Sequence, residues 1–377
     1  MDRRNFISTT ILATAAGAAT VAAENIVSTP ITTTKQNPSA VAAAVDEPTK
    51  GQAGRFSKMR TITMEEHYIS PAFIAGPGKA VANPTNPKDA RSFKLACDLG
   101  PDRIALMDSA GIDVQILSHA PGIEEVEGAE QVTVARETND YLLHCVAKYP
   151  TRYGGFASLP TASPDKAAQE LERMVKLGFK GAIINGHTHA RYLDDTFFWP
   201  ILESAQSLKV PIYLHPTPPP KAIRDVYFAG FSPGVSQQFA QAGWGWHIET
   251  AVHVLRMGLG GVFDRFPDLQ IVVGHMGETL SFMLPRINRN LPMELTKLKR
   301  PMAEYLRENI YYTFAGFNFP QNFMNLMQQV GVDRIMFSVD HPYGSMVEAR
   351  TFLDQLPISP ADRNRIAHKN AERLFKI

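Results

Sequence analysis

The sequence predicts an α/β chain folded as a (β/α)8 barrel. Three observations lead there. After Met59, eight short apolar runs alternate with stretches of helical period. The runs are rich in β-branched and aromatic residues and are mostly bounded by Gly or Pro, as strands are. Side chains able to bind metal or move protons collect at the C-terminal ends of those runs, the end at which parallel barrels carry their chemistry. An open doubly wound sheet is the competing topology. The sequence lacks the Gly-x-Gly-x-x-Gly turn and the phosphate-binding loop that would favour it.

In chain order, the predicted strands are Ile62 to His67, Asp113 to His119, Tyr153 to Leu159, Gly181 to Asn185, Pro211 to His215, Ile271 to His275, Ile310 to Phe314 and Arg334 to Asp340. The helices between them show start and stop signals. Ser163-Pro164-Asp165 reads as an N-cap followed by Pro at the first helical position, and Gly178 closes that helix. Ala168, Leu171 and Val175 form its predicted apolar stripe. Ser359-Pro360-Ala361-Asp362 opens the last helix, which carries Ile366, Asn370, Leu374 and Phe375. Residues 216–243 are rich in Pro, Gln and Gly and predict a long ordered loop at the barrel mouth, serving as a lid or a subunit contact.

Residues 59–377 form the predicted catalytic domain. Ahead of it, residues 1–23 read as a cleavable export signal. Met1-Asp2-Arg3-Arg4-Asn5-Phe6-Ile7 supplies the charged start, an Ala/Thr-rich run follows, and Val21, Ala22 and Ala23 are small residues fit for cleavage. The paired arginines resemble the twin-arginine type. The sequence therefore predicts that the twin-arginine machinery carries a folded precursor to the periplasm. Residues 24–58, with no apolar period, read as a flexible linker or arm.

Composition narrows the function classes. With 44% apolar and 20% charged residues the chain has ample material for a core. The formal charge of +1 gives no electrostatic footprint for nucleic acid. Two cysteines, Cys97 and Cys145, make neither a disulfide framework nor a cysteine-rich zinc site.

The strand ends carry the informative set: Glu65-Glu66-His67 on the first strand, His215 on the fifth, His275 on the sixth and Asp340 on the eighth. Because side chains alternate along a strand, Glu65 and His67 point one way and Glu66 the other. Alternation puts Thr63, Glu65 and His67 in the interior and leaves Ile62, Met64 and Glu66 on the other side. On the eighth strand it turns Ser338 and Asp340 inward, with Ile335, Phe337 and Val339 against the helices. Glu65, His67, His215 and Asp340 then converge above the barrel axis. Two imidazoles and two carboxylates suit Mn2+, Zn2+ or Fe2+.

Several segments extend this reading into a resemblance. Met64-Glu65-Glu66-His67-Tyr68, Tyr213-Leu214-His215-Pro216, Gly261-Val262-Phe263-Asp264-Arg265-Phe266-Pro267, Gly274-His275-Met276-Gly277-Glu278 and Phe337-Ser338-Val339-Asp340-His341-Pro342-Tyr343 occur in order. With the closing Asn370-Ala371-Glu372-Arg373-Leu374-Phe375, they resemble the amidohydrolase superfamily from about residue 60 onward. More narrowly, they resemble its metal-dependent nonoxidative decarboxylases, which act on γ-resorcylate, dihydroxybenzoate and aminocarboxymuconate semialdehyde.

The resemblance implies a barrel of the metal-dependent hydrolase type, with one divalent ion per subunit, Mn2+ or Zn2+. Its metal ligands would be Glu65, His67, His215 and Asp340. His275 and Asp340 would be catalytic, with Glu278 and Arg286 orienting His275. Tyr68 and Tyr343 would stand against the substrate ring. Asp340 is followed by His341, where relatives often have Trp. The implied reaction is nonoxidative decarboxylation of a small hydroxy-aromatic or enol carboxylic acid, and hydrolysis of a lactone, ester or amide on the same barrel is the alternative. The implied assembly is a homodimer or homotetramer. His119, ending the second strand, reads either as a substrate contact or as a satisfied core histidine. His187-Thr188-His189 follows the wrong strand for a ligand pair, and Trp244 and Trp246 read as packing.

Overall fold

The computed structural model describes residues 56–82, 84 and 86–377. The export-signal segment 1–23 and residues 24–55 of the arm lie outside the described residues. Residues 56–58 run against the helix Met346–Gln355. There the Arg350 guanidinium donates to the Ser57 carbonyl at 2.9 Å and lies 5.3 Å from the Phe56 ring.

The strands are β1 (Ile62–Tyr68), β2 (Val114–His119), β3 (Tyr153–Gly155), β4 (Ala157–Ser158), β5 (Ala182–Asn185), β6 (Ile212–His215), β7 (Ile271–Val273), β8 (Ile310–Thr313) and β9 (Ile335–Met336). Neighbours pair in parallel, in the orders β1-β2-β3 and β4-β5-β6-β7-β8-β9. The predicted third run is β3 plus β4, parted at Phe156. The Phe156 N–H donates back to the Leu117 carbonyl at 2.9 Å, so the two pieces form one stave. Phe156 is fully buried in the barrel interior, its ring 5.9 Å from that of Tyr213 and 5.6 Å from that of Phe375.

On the opposite side, β9 and β1 share no ladder among the described residues. Two hydrogen bonds join them instead. His67 N–H donates to the His341 carbonyl at 2.7 Å, and Val339 N–H donates to the Glu66 carboxylate at 2.9 Å. Glu66 faces away from the barrel axis, as alternation predicted, and also accepts from Gln115 at 3.1 Å. Burial pushes its carboxyl up to about 7, against the pull of Arg103.

The barrel interior holds Ile62, Met64, Ile116, Phe156, Ile183, Tyr213, Val272, Tyr311 and Met336. Such a layer contributes roughly 1.5–3 kcal/mol for each large apolar side chain removed from water. Ile62 and Met64 therefore lie inside, and the expected side assignment for the first half of β1 is corrected. The reason is a β-bulge: Met64 pairs with Ile116 and Glu66 with Leu117, leaving Glu65 as the extra residue at φ 66°. The inserted residue resets the alternation between Met64 and Glu66. The eighth predicted strand follows expectation, with Met336 in the interior and Ile335, Phe337 and Val339 on the helix side.

Local signals in the helices are partly realised. Ser359 accepts from Asp362 N–H at 3.1 Å, and Gly178 adopts φ 102° just past the helix Pro164–Lys176. Ser163 makes no side-chain cap, and that helix buries Ala167, Leu171 and Met174, one position round from the predicted stripe. The segment expected as a long loop contains the short helices Lys221–Tyr227 and Pro233–Ala240; Val226, Tyr227 and Val235 on them and Phe231 between them are exposed. Among the described residues, no helix is long and apolar enough to cross a membrane. Cys97 and Cys145 are free thiols.

Candidate metal centre

The bulge on β1 is what builds the site. With Met64 inside the barrel, strict alternation would turn Glu65 away; the extra residue lets Glu65 and His67 both look inward above the apolar layer. His215 ends β6 directly above Tyr213, and Asp340 follows β9 with φ 69°. The atoms that Glu65, His67 and His215 offer lie within 4.8 Å of one another, and all three residues are buried. His215 Nε2 is 3.4 Å from Glu65 Oε1, and His67 Nε2 is 3.4 Å from Asp340 Oδ1. The His67 and His215 rings meet edge to face at 4.8 Å.

Hydrogen bonds on the far side of each group determine what it can do at the centre. His215 Nδ1–H donates to the Pro216 carbonyl at 2.8 Å, which leaves the Nε2 lone pair facing the site. Tyr213 O–H donates to Glu65 Oε2, so that Oε1 is the free oxygen. Glu65 Oε1 and His67 Nε2 are buried atoms with no hydrogen-bond partner. Buried polar atoms are nearly always satisfied, and two such orphans facing a third lone pair fit a cation.

Charge at the site is unevenly held. Burial pushes the Glu65 carboxyl well above the carboxylate range, and nearby Asp340 adds to this while His275 opposes it. For Asp340 burial acts upward too, but His275 and His67 outweigh it and hold the carboxyl below its ordinary value. Burial, with His67 next, pushes His215 well below the usual imidazole range.

Beside this centre stands a second group. His275 Nδ1–H donates to Glu278 Oε1 at 2.7 Å, and His247 Nδ1 lies 2.5 Å from Glu278 Oε2. His275 Nε2 reaches toward the centre, 4.0 Å from Glu65 Oε1 and 3.9 Å from Asp340 Oδ2. Burial disfavours the charged ring of His275, but Glu278 and Glu65 outweigh it and raise its pKa well above normal. The three side chains His247, Glu278 and His275 are thus committed to one another. Glu65, His275, Glu278 and Asp340 all have φ between 49° and 69°. Holding a non-glycine residue in such a conformation costs about 1–3 kcal/mol, and this strain is concentrated at the site.

Several sequence-predicted residues lie elsewhere. Arg286 is exposed on the helix Leu280–Asn290 and makes no side-chain contact with His275 or Glu278 among the described interactions. His247, which the sequence did not single out, holds the position expected of it. Tyr68 is fully buried on the helix side, its hydroxyl donating to the Thr138 carbonyl at 3.3 Å. It follows His67 on β1 and so faces away from it. His119 is the satisfied core histidine. Its Nε2 accepts from Ser70 N–H at 3.1 Å and its Nδ1–H donates to the Ala120 carbonyl at 2.6 Å, leaving no ring nitrogen for a substrate. Tyr343 is at the mouth, exposed, with its ring 5.9 Å from that of His67. His187 spends its ring nitrogens on Pro218 and Ala190 and forms no ligand pair with exposed His189. Trp244 is exposed, whereas Trp246 stands 6.4 Å from the His215 ring. His341, the departure from the implied pattern, is buried and lends its carbonyl to barrel closure. The sequence also passed over Asn185, which pairs in register with His215 and donates to Glu124 at 3.0 Å.

A parallel α/β barrel with a histidine and carboxylate cluster at its strand ends defines the class of metal-dependent barrel proteins. The amidohydrolase family model matches residues 96–377, and the chain belongs to that family. It is 38% identical over 330 residues to a gamma-resorcylate decarboxylase of Polaromonas sp. strain JS666, covering 84% of this chain and 98% of that one. A second gamma-resorcylate decarboxylase, from Rhodococcus jostii, is 36% identical over 333 residues, with 84% and 98% covered. Among solved structures, the dihydroxybenzoic acid decarboxylase of Polaromonas sp. JS666, with bound manganese and 2-nitroresorcinol, superposes with a TM-score of 0.78 at 36% identity, covering 84% of this chain and 97% of that one. A 2,6-dihydroxybenzoate decarboxylase complexed with 2,6-dihydroxybenzoate gives 0.78 at 33% identity, covering 85% and 100%.

Proposed function

We propose that the chain is a metal-dependent nonoxidative carboxy-lyase that removes the carboxyl group of a hydroxybenzoic acid. The observation that carries this is the pair of buried, unpartnered atoms Glu65 Oε1 and His67 Nε2 beside the free Nε2 of His215. Glu65, His67, His215 and Asp340 would hold one divalent ion, Mn2+ or Zn2+; the manganese in the Polaromonas relative supports the first. Bound there, a divalent ion would supply Lewis acidity toward the oxygens of the acid.

The chain's own groups supply the proton. His275, whose ring Glu278 and Glu65 keep charged, passes a proton to Asp340, which is ionised at rest and relays it to the ring carbon that bears the carboxylate. The bond between that carbon and the carboxylate then breaks, its electron pair returns to the ring, and carbon dioxide leaves. The proton leaves His275 from Nε2, 3.9 Å from Asp340 Oδ2, while Glu278 fixes the His275 ring through Nδ1. The rings of Trp246, Phe317 and Tyr343 fence the centre, from 6.4 Å of His215, 5.5 Å of His275 and 5.9 Å of His67 respectively.

Carboxyl-labelled 2,6-dihydroxybenzoate and related hydroxybenzoates, supplied with Mn2+ or Zn2+, test the reading. Labelled carbon dioxide is the expected product. Label kept in a hydrolysed or ring-opened product would overturn it in favour of hydrolysis.

The same reading includes a homodimer or homotetramer, supported by the exposed apolar residues Val226, Tyr227, Phe231 and Val235, and light scattering of the purified protein tests it. It also includes twin-arginine export to the periplasm, supported by Arg3-Arg4 and the uncharged run after them. Loss of export in an Arg3→Lys, Arg4→Lys double variant is the expected result.

A further inference from the structure

We propose that His247 is a positioning residue for the proposed decarboxylation: it clamps Glu278 from behind and thereby fixes the ring of His275. The proposal rests on the lyase reading for its kinetic test but not for its structural one. His247 comes from the helix Gly245–Leu259, an element separate from the turn that carries His275 and Glu278.

The geometry is that of a carboxylate shared between two imidazoles. Glu278 Oε1 accepts from His275 Nδ1–H at 2.7 Å, and Oε2 faces His247 Nδ1 at 2.5 Å. Behind it, His247 Nε2 lies 3.0 Å from the Ala242 carbonyl. A carbonyl oxygen accepts only, so His247 Nε2 carries a hydrogen. Glu278 is held ionised: burial works against its charge, but His275 and His247 outweigh it. Glu278 Oε2 on one side and the Ala242 carbonyl on the other hold the two ring nitrogens of His247.

Fixing Glu278 matters because its own backbone does not do so cheaply. Glu278 at φ 53° and His275 at φ 49° both sit in the left-handed region, on a single tight turn that follows Gly274 and contains Gly277. A carboxylate bonded to His275 alone could pivot about that contact. The second bond, from a fifteen-residue helix, removes this freedom. Phe317 closes the remaining side, its ring 5.0 Å from His247 and 5.5 Å from His275. All three members of the chain are buried, so water does not substitute for a lost bond without opening the site.

Two variants separate positioning from simple packing. His247→Phe keeps the ring volume and loses both ring-nitrogen contacts; His247→Asn loses volume and keeps a polar group near the Nδ1 position. In the manganese-loaded enzyme, His247→Phe is expected to lower kcat about ten- to a hundredfold, the loss of one charge-assisted hydrogen bond, with KM and metal content unchanged. His247→Asn restores most of kcat. A packing role reverses the order, with Phe active and Asn impaired, and would overturn the proposal. In the zinc-loaded protein, the downfield proton resonance of the His275–Glu278 bond should be sharp in wild type, exchange-broadened in His247→Phe and recovered in His247→Asn. An unchanged resonance in His247→Phe would also overturn it. If the wild-type protein releases no carbon dioxide, the lyase reading fails while the resonance still decides the clamp.

Discussion

Replacing Tyr213 by phenylalanine removes one oxygen atom from the floor of the candidate centre and nothing else. That hydroxyl donates to Glu65 Oε2 and lies 2.9 Å from Thr313 Oγ1, in a place where every partner is buried. Burial, with Glu65 next, pushes the Tyr213 hydroxyl well above its ordinary value, so it remains a donor at any working pH. The ring stays packed against Phe156 at 5.9 Å, and the fold should persist. A hydrogen bond to a charged group contributes about 1.5–3 kcal/mol, and each 1.4 kcal/mol is a factor of ten in an equilibrium constant. Outer partners of metal ligands typically account for 10- to 100-fold in metal affinity. Tyr213→Phe is therefore expected to weaken Mn2+ binding by about ten- to a hundredfold, measured by competition with a fluorescent chelator at fixed pH. Affinity within twofold of wild type would refute the idea that Tyr213 aims Glu65 at an ion.

Other perturbations test neighbouring parts of the account. At Gly274 an added Cβ would lie 2.4 Å from Glu65 Oε2 and 3.0 Å from the Tyr213 hydroxyl, so Gly274→Ala should displace Glu65 and reduce bound manganese per subunit by elemental analysis. Arg286→Ala should leave kcat within about twofold, whereas Glu278→Gln, which removes the anion His275 depends on, should lower it by about a hundredfold or more in steady-state assays. Glu124 gives a pH prediction. Burial raises its carboxyl to about 7, so the folded chain binds this proton more tightly than the unfolded chain does, and its contribution to stability falls as pH rises from about 4.5 to 7. Glu124→Gln does not titrate, and its Tm relative to wild type should be higher at pH 8 than at pH 5; a constant difference would contradict this.

Much of the architecture is legible because strand and helix periods are local properties of the chain. The ends of β5 and β6 at Asn185 and His215 coincide with the apolar runs that predict them. The β1 bulge was not legible, because one extra residue leaves no mark in an alternation that is broken and then resumed. Glu65 and His67 were nonetheless expected to face inward, since the bulge, which is Glu65 itself, reverses the residues before it and leaves His67 as alternation has it. Tyr68 misled through adjacency: standing next to a ligand in sequence places a strand residue on the opposite face. Arg286 and His247 show the limit of motif reading. The arginine follows His275 at the implied spacing, yet its side of the helix Leu280–Asn290 faces solvent, while the imidazole that contacts Glu278 arrives from 31 residues earlier in the chain. Nothing in the Gly243-Trp244-Gly245-Trp246 approach to His247 marks it, because the contact is created only when the helix docks.

Anomalous diffraction from crystals grown with manganese probes the centre itself. A single strong peak about 2.0–2.3 Å from Glu65 Oε1, His67 Nε2 and His215 Nε2, with an Asp340 oxygen completing the set, is the predicted result. Manganese bound elsewhere, or these atoms bonded to one another around no peak, would contradict it.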